Sequence, residues 1–277
     1  MRMVILNEIE YAEKCLNTNT MDAPTFQTLA ILAKYYYHHK GIKPKQIREN
    51  LKDFLAKSWL EYAGDSSTRI RWDEIIEKIV LKVKKYKLYQ LDPIPITRKE
   101  LNTIKSIGNI KAEKLAFSLL CYAKLTNSRA GKESDWANPK PSELKKTSKV
   151  GGNDKEFNLI INSLYRKGLV EFPKSNGLLS VKVLFVDHEE NTKPVLLISD
   201  YRCLGYEYVK YIGQPYRKCK NCGILFRYKD KRNKKCKSCI EGERVLSRLL
   251  TCEDCGKTMI IPAANKRTTR CPECYTY

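Results

Sequence analysis

Apolar residues in the first part of the chain recur every three or four positions, which is the spacing of one buried face of a helix. This pattern predicts helices over residues 24–40, 44–56 and 72–86. Thr97-Arg-Lys-Glu100 forms a capping box, in which the hydroxyl and the carboxylate each accept a free backbone N–H, and it predicts a helix over 98–106. We therefore expect a helical N-terminal domain, residues 1–108, with short strands near 87–91.

After residue 110 the predicted helices are separated by loops, turns and short strands. A long helix is followed by a loop, a short helix, a tight turn, a third helix, a strand, a small turn and a last strand. In that order they occupy residues 111–127, 128–141, 141–148, 151–153, 154–167, 169–172, 174–177 and 178–186. This order resembles a winged-helix domain, here residues 109–190. The resemblance implies a module that binds DNA or docks on another protein.

The helix predicted over 154–167 has an apolar face and a polar face. The apolar face consists of Phe157, Ile160, Ile161 and Leu164, and the polar face carries Lys155, Asn158, Asn162 and Arg166. Asparagine can pair with adenine, and arginine or lysine with guanine or phosphate, so the polar face is interpreted as entering a major groove. Lys174 in the wing is expected to contact a phosphate. The alternatives are a solvated face and a protein-docking face.

The chain is strongly basic, and its charge is unevenly distributed. Its 277 residues include 52 Lys and Arg against 31 Asp and Glu, which gives a formal charge of +21. Residues 201–277 alone contribute +11. This charge favours a polyanionic partner, and nucleic acid, duplex DNA in particular, is expected rather than a membrane. The alternative is a Lys-rich surface without a particular partner.

No apolar run reaches the ~18–20 residues that a membrane-spanning helix needs. Glu8 and Glu10 interrupt the apolar residues at the N-terminus, so we expect no signal peptide. The expected location is the cytoplasm, with association to the nucleoid if the protein is bacterial.

Eight of the 11 cysteines form Cys-x-x-Cys pairs after residue 218. The pairs are Cys219/Cys222, Cys236/Cys239, Cys252/Cys255 and Cys271/Cys274. Without a secretory signal, such pairs indicate metal ligands rather than disulfides. Two pairs can supply the four thiolates of a tetrahedral site, so the sequence predicts two structural Zn²⁺ ions. Pairing in sequence order is the simplest arrangement, and crossed pairings stay open.

The cysteine regions are predicted to form two modules after a connector, residues 191–215. Residues 216–250 resemble a treble clef, because a helix is predicted after the second pair. Residues 251–277 are similar to a zinc ribbon. Together with the helical domain and the winged helix, these modules give an expected fold class that is mainly α with small β elements.

Basic side chains are concentrated between the paired cysteines. The first loop carries Arg227, Lys229, Lys231, Arg232, Lys234 and Lys235, with Phe226 and Tyr228 among them. The second loop carries Lys257, Lys266, Arg267 and Arg270, of which the last three are the candidate contacts. Four thiolates around one Zn²⁺ leave a net charge of about −2, so two sites neutralise only part of the +11. Both loops are therefore interpreted as nucleic-acid contacts.

The sequence contains none of the short motifs that cradle nucleotides or activate a serine nucleophile. Its histidines, His38, His39 and His188, all lie outside the cysteine region, which argues against a nuclease site there. No catalytic residue is assigned, and no enzymatic activity is expected. The sequence predicts a zinc-containing DNA-binding protein that acts as a transcription regulator or a replication accessory factor.

In its compact basic architecture the chain resembles regulators carried by phages and other mobile elements. One alternative is a phage-type adaptor or inhibitor that docks on a host protein or nucleoprotein complex, such as RNA polymerase or a defence effector. The other alternative is an RNA-binding protein, in which zinc knuckles and tyrosines contact single strands.

Overall fold

The computed structural model describes residues 3–173, 180–189, 192–245, 247–262 and 268–275. The fold is mainly helical with small antiparallel sheets, which confirms the expected fold class. The chain divides into two compact units, Met1–Gly205 and Tyr206–Tyr277. The finer division into a helical domain, a winged helix, a connector and two modules stays a prediction.

Helices build the first part of unit one. Helices α1 to α5 span Glu8–Thr18, Thr25–Lys34, Pro44–Ser58, Leu60–Gly64 and Ser66–Lys82. A π-helix, Tyr35–His39, continues α2, and a 3-10 helix, Val83–Lys85, continues α5. The helices predicted from apolar spacing are confirmed, and Leu29, Leu51 and Ile76 on their buried faces belong to one core.

The N-terminal segment and residues 87–91 differ from the expectation. Asn7 caps α1 by accepting the backbone N–H of Glu10 at 3.1 Å, and apolar spacing alone did not predict this helix. Within the described residues no strand forms at 87–91, where Gln90 makes an isolated bridge with Asn7. The predicted short strands are therefore reduced to a single pair of residues.

Helix α5 begins at Ser66, six residues before the predicted start, because Asp65 caps it. The Asp65 carboxylate accepts the backbone N–H groups of Ser67 at 3.3 Å and Thr68 at 2.8 Å. Hydrogen bonds from the side chains of Thr68 and Ser67, and from these N–H groups, hold the pKa of Asp65 well below its usual range. The capping residue is therefore ionised at neutral pH.

We expect Asp65→Ala to lower the melting temperature by ~2–4 °C, because the N-cap is lost. Since the folded-state pKa is lowered, the contribution of Asp65 is present above the unfolded-state pKa of ~3.9 and is lost as the pH falls through the folded-state value. The melting temperatures of the D65A variant and of the parent protein should therefore converge as the pH is lowered. Glu74→Ala, an exposed change on the same helix, should leave the melting temperature unchanged. A difference that grows in acid would contradict this role of Asp65.

The rest of unit one combines helices with short strands. Helices α6 to α9 span Arg98–Lys105, Ile110–Ala130, Pro141–Ser148 and Asp154–Arg166. Strands β1 to β5 span Ile94–Ile96, Trp136–Ala137, Val170–Glu171, Val181–Val183 and Leu196–Ile198. Strand β1 pairs with β5, and a second sheet has the order β2-β4-β3, with every pairing antiparallel. The four helices predicted in this region are confirmed.

The predicted loop over 128–141 contains both the end of α7 and strand β2. Helix α7 continues to Ala130 and ends at Gly131, whose φ of 64° suits a left-handed C-cap. Trp136 then pairs with Lys182 of β4. Strands β3 and β4 are shorter than predicted, and the turn predicted at 174–177 lies outside the described residues.

A buried carboxylate joins three parts of unit one. Glu100 Oε2 accepts the backbone N–H of Thr97 at 2.7 Å, and Thr97 Oγ1 accepts the Glu100 N–H at 3.3 Å, which confirms the capping box. Glu100 Oε1 also accepts from Lys124 Nζ at 2.7 Å and from the Asp187 N–H at 3.0 Å. The Glu100 side chain is fully buried, and that of Lys124 is 12% exposed. This one side chain therefore links α6, α7 and the segment that follows β4.

The second unit is built from hairpins followed by helices. Helix α10, Leu204–Tyr211, spans the boundary between the units. The elements that follow are β6 Tyr216–Lys218, β7 Leu225–Arg227, α11 Lys237–Val245, β8 Ser247–Thr251, β9 Thr258–Pro262 and α12 Pro272–Tyr275. Strand β6 pairs with β7 and β8 pairs with β9, both antiparallel. Each hairpin carries one cysteine pair in its turn.

Candidate metal centres and basic surfaces

The first four paired cysteines come together at the end of the β6–β7 hairpin. Cys219 and Cys222 lie in the turn, which closes through a 2.9 Å bond from the Gly223 N–H to the Cys219 carbonyl. Gly223 has a φ of 69°, a left-handed conformation that favours glycine. Cys236 and Cys239 lie at the start of α11, and all four Sγ atoms are within 4.8 Å of one another. The hairpin and the helix thus bring four cysteine sulfur atoms close together.

The second cysteine group repeats this construction. Cys252 and Cys255 lie in the turn of the β8–β9 hairpin, where the Gly256 N–H donates to the Cys252 carbonyl at 2.9 Å. Cys271 and Cys274 lie at the start of α12, and again the four Sγ atoms are within 4.8 Å of one another. Pairing in sequence order is therefore what the structure has. The similarity of this module to a zinc ribbon stays a prediction.

Equivalent hydrogen bonds relate the two modules. In each, the first cysteine N–H donates across the turn, from Cys219 to Ile224 and from Cys252 to Lys257, at 2.9 and 3.0 Å. In each, the third cysteine N–H donates to the first sulfur, at 3.3 Å in the first module and 3.2 Å in the second. The two modules are therefore one structural unit present twice, which the doubled cysteine pattern alone did not establish.

The sulfur geometry fits a tetrahedral metal ion. Metal–sulfur bonds of ~2.3 Å imply sulfur–sulfur edges of about 3.8 Å in a tetrahedron. The Sγ atoms of Cys222 and Cys236 are 3.7 Å apart, and those of Cys255 and Cys271 are 3.6 Å apart. Each group could therefore hold one metal ion.

Backbone N–H groups favour the thiolate form of one cysteine in each group. Burial opposes this for Cys219, but N–H donors from Cys222, Cys236 and Asn221 outweigh it and lower its pKa to about 6. N–H donors from Cys271 and Cys255 likewise lower the pKa of Cys252 to about 6. The thiolate is the form of cysteine that binds metal ions. The backbone hydrogen bonds therefore favour metal binding by Cys219 and Cys252.

The loop between Cys222 and Cys236 carries most of the predicted basic contacts and is here called the basic loop. Its exposed bases are Arg227, Lys229, Lys231, Arg232 and Lys234, and Lys235 is half-buried. Arg232 pairs with Asp230 at 2.9 Å, and Asp230 is the one acidic residue in the loop. The loop therefore presents a large excess of positive charge to solvent.

An arginine outside the predicted set shapes the basic loop. The Arg217 guanidinium lies 3.9 Å from the centroid of the Tyr228 ring and donates to the Lys231 carbonyl at 2.7 Å. Arg217 therefore covers one face of the Tyr228 ring. The sequence offers no local signal for this contact, because Arg217 lies on β6 and Tyr228 follows β7. Arg217 is accordingly a positioning residue for the loop.

The second module offers less free positive charge among its described residues. Arg270, one of the predicted contacts, pairs with Asp254 at 3.1 Å, and Lys257 pairs with Glu273 at 2.9 Å. Lys266 and Arg267 lie outside the described residues. The two modules thus share a backbone design but differ in the charge that surrounds it.

The polar face predicted on α9 is exposed. Its members are Lys155, Asn158, Asn162 and Arg166. On the opposite face Phe157, Ile161 and Leu164 are buried, and Ile160 is half-buried. The exposed side also includes Leu159 and Tyr165, 60% and 51% exposed, which the prediction did not include. Lys174 of the predicted wing lies outside the described residues.

Acidic residues near the start of α9 are partly neutralised by neighbouring lysines. Asp154 pairs with Lys145 of α8 at 2.7 Å, and the Lys145 side chain lowers the pKa of Asp154. Glu156 lies 3.9 Å from Lys111 of α7. These pairs reduce the negative charge beside the polar face.

The chain matches no protein-family model, no curated protein and no solved structure with which it was compared. The interpretation of both cysteine groups therefore depends on their own geometry. Among the described helices, none is long and apolar enough to cross a membrane.

Proposed function

We propose that this protein is a non-enzymatic, zinc-containing DNA-binding protein that acts in transcription regulation or as a replication accessory factor. The observation that carries the proposal is the basic loop, because a group of four cysteines fixes both of its ends. Zinc is the proposed ion, since four thiolates in a tetrahedron suit it and leave no open position for chemistry. The proposed role of the metal is to hold the loop in shape.

The order of elements in unit one supports DNA contact by a winged helix. Helices α7, α8 and α9 and strands β2, β3 and β4 follow one another as α7-β2-α8-α9-β3-β4, with the sheet order β2-β4-β3. In a winged helix the last of three such helices enters the major groove. That helix is α9 here, whose exposed polar face carries two asparagines and two basic residues.

A protein-docking role is the second candidate, and exposed apolar residues on unit one favour it. Tyr165 of α9 contacts Phe172, with ring centroids 5.4 Å apart, and both side chains are exposed. Exposed aromatic side chains of this kind are typical of protein interfaces. This candidate corresponds to an adaptor or inhibitor that docks on a host complex.

Binding assays separate these functions. Zinc-replete protein is titrated against fluorescent duplex DNA, single strands and structured RNA over a salt series, with the zinc content measured in parallel. The proposal expects duplex binding with a steep salt dependence, because phosphate contacts release counterions. Preference for RNA would select the RNA-binding alternative. Absence of binding at low salt would overturn the proposal and select a protein partner.

Neutralising the basic loop tests its role in this binding. The triple variant R232Q/K234Q/K235Q removes three candidate phosphate contacts, so the slope of log K against log salt should fall by about 2–3. The control K132Q/K193Q/K210Q removes the same charge at exposed positions elsewhere and should keep the slope. Equal slopes in the two variants would show that the loop does not contact phosphates.

A further inference from the structure

Two segments of unit one meet at the end of α2 and form a surface that the proposed function does not use. His38 Nε2 of the π-helix lies 2.9 Å from the carbonyl oxygen of Tyr86. Lys34 Nζ donates to the carbonyl oxygen of Lys87 at 3.2 Å. These contacts place the π-helix beside the residues that follow α5. The exposed residues of the two segments are here called the lysine–tyrosine patch: His38, His39, Lys40, Lys82, Lys84, Lys85, Tyr86 and Lys87.

The charge of this patch contrasts with the rest of its surroundings. Residues 34–40 and 82–87 contain six lysines, two histidines and no acidic residue. The other residues of 1–92 contain ten basic and twelve acidic residues. Lys34 is neutralised by buried Glu8 at 2.5 Å. The remaining five lysines are exposed, and within the described residues none of them forms an ion pair with a carboxylate.

Aromatic side chains lie among these lysines. The Tyr86 side chain is 58% exposed, although its backbone is held by His38. His38 is itself exposed, and its ring meets the half-buried Tyr37 edge-on, with centroids 4.9 Å apart. The π-helix that positions these residues closes through a 3.1 Å bond from the Lys40 N–H to the Tyr35 carbonyl. π-Helical turns are rare in proteins, and those that occur are often part of a functional site.

We propose that the lysine–tyrosine patch binds single-stranded nucleic acid. The unpaired lysines supply phosphate contacts, and Tyr86 and His38 supply flat rings on which bases stack. An unpaired base can offer its face to such a ring, whereas a base in a duplex is stacked on its neighbours. This site shares no residue with α9 or with the basic loop, and it gives the helical domain a role of its own.

The test uses the full-length, zinc-replete chain in the R232Q/K234Q/K235Q background, which reduces the contribution of the basic loop to binding. The probes are oligodeoxythymidine and oligouridine of about twenty nucleotides, which can span more than one site, a duplex of equal length, and vesicles that contain phosphatidylserine. Binding is measured by fluorescence anisotropy over a salt series, and by co-sedimentation for vesicles. Circular dichroism melting confirms that each variant is folded.

The patch variant K84Q/K85Q/K87Q should bind both oligonucleotides more weakly, and the slope of log K against log salt should fall by about 2, since each single-strand phosphate contact contributes ~0.7. The matched control K57Q/R71Q/K78Q removes the same charge at exposed positions of the same domain and should keep the parent slope. A patch variant with the same slope as the control overturns the proposal.

Tyr86→Ala tests stacking apart from charge. It should weaken oligonucleotide binding roughly tenfold without changing the salt slope, because the loss of a stacked base is not a loss of charge. Tyr86→Phe keeps the ring and should bind as the parent does. Equal binding by Y86A and Y86F overturns the proposal. So does binding that depends on the patch only for the duplex or for vesicles. Because the patch variants and their controls share the same basic-loop background, a difference between them is independent of the basic loop and hence of the proposed function.

Discussion

Replacing Cys219 and Cys222 with serine is expected to unfold the first module and to lower the metal content from two ions to one per chain. Among the side chains of residues 216–241, Leu225 is the one buried apolar side chain other than cysteine, so this stretch offers little apolar core to hold the hairpin. An isolated two-stranded hairpin is at best marginally stable in water. A structural zinc ion contributes roughly 10–16 kcal/mol of apparent binding free energy, so zinc bound at this group would be the main stabilising contribution to the module.

Metal analysis and limited proteolysis measure this effect. In the variant, cleavage within the basic loop should become rapid, and affinity for nucleic acid should fall together with the metal content. The reciprocal variant, with Cys252 and Cys255 replaced by serine, should also lose one ion but should keep the basic loop resistant to protease. Two bound ions and unchanged cleavage in the first variant would rule out a metal role for Cys219 and Cys222.

Replacing Lys124 with methionine is expected to destabilise unit one by about 3–5 kcal/mol, because it leaves the buried carboxylate of Glu100 without its counter-charge. This is a large fraction of the ~5–15 kcal/mol by which a domain is stable. Glu100 would still accept the N–H groups of Thr97 and Asp187, but neither carries a compensating charge. Urea denaturation measures the change.

Two further variants isolate the buried pair. The double change E100Q/K124M should recover much of the lost stability, since no unpaired charge then remains. Lys14→Met breaks an ion pair with Asp22 in which the Lys14 and Asp22 side chains are 58% and 50% exposed. It should lower the stability by less than about 1 kcal/mol. Additive losses in the double variant, or similar losses from K14M and K124M, would contradict the assigned role of Glu100.

Local patterns predicted the elements whose causes are local. The capping box at Thr97 predicted the start of α6, and apolar spacing predicted α3 and α7. The partners of Glu100 could not be predicted, because Lys124 and Asp187 lie 24 and 87 residues away. Helix α1 had a readable signal in the Asn7 cap with Glu8 and Glu10 in its first turn. Acidic side chains stabilise the N-terminus of a helix. Glu8 and Glu10 therefore indicate the start of a helix as well as an interruption of the apolar residues.

In the candidate metal sites, too, the features with local causes were predicted and those that depend on packing were not. Cysteine spacing predicted both groups of four cysteines, because four sulfurs that share one ion must reach it from two short turns. The ion pair of Arg270 with Asp254 was not predicted, since a side chain's partner depends on how two turns pack. Strand β2 was also missed, because a strand of two residues exists only through its pairing with β4. The π-helix of Tyr35–His39 has no established local sequence pattern.

The repeated hydrogen bonds of the two metal modules have an evolutionary consequence. Equivalent atoms are 33 residues apart in the turns, as with Cys219 and Cys252, and 35 apart at the helices, as with Cys236 and Cys271. Duplication of one segment, followed by an insertion of two residues between the cysteine pairs, would produce this offset. If the modules arose in this way, the basic loop of the first and the ion pairs of the second are differences that the two copies acquired afterwards.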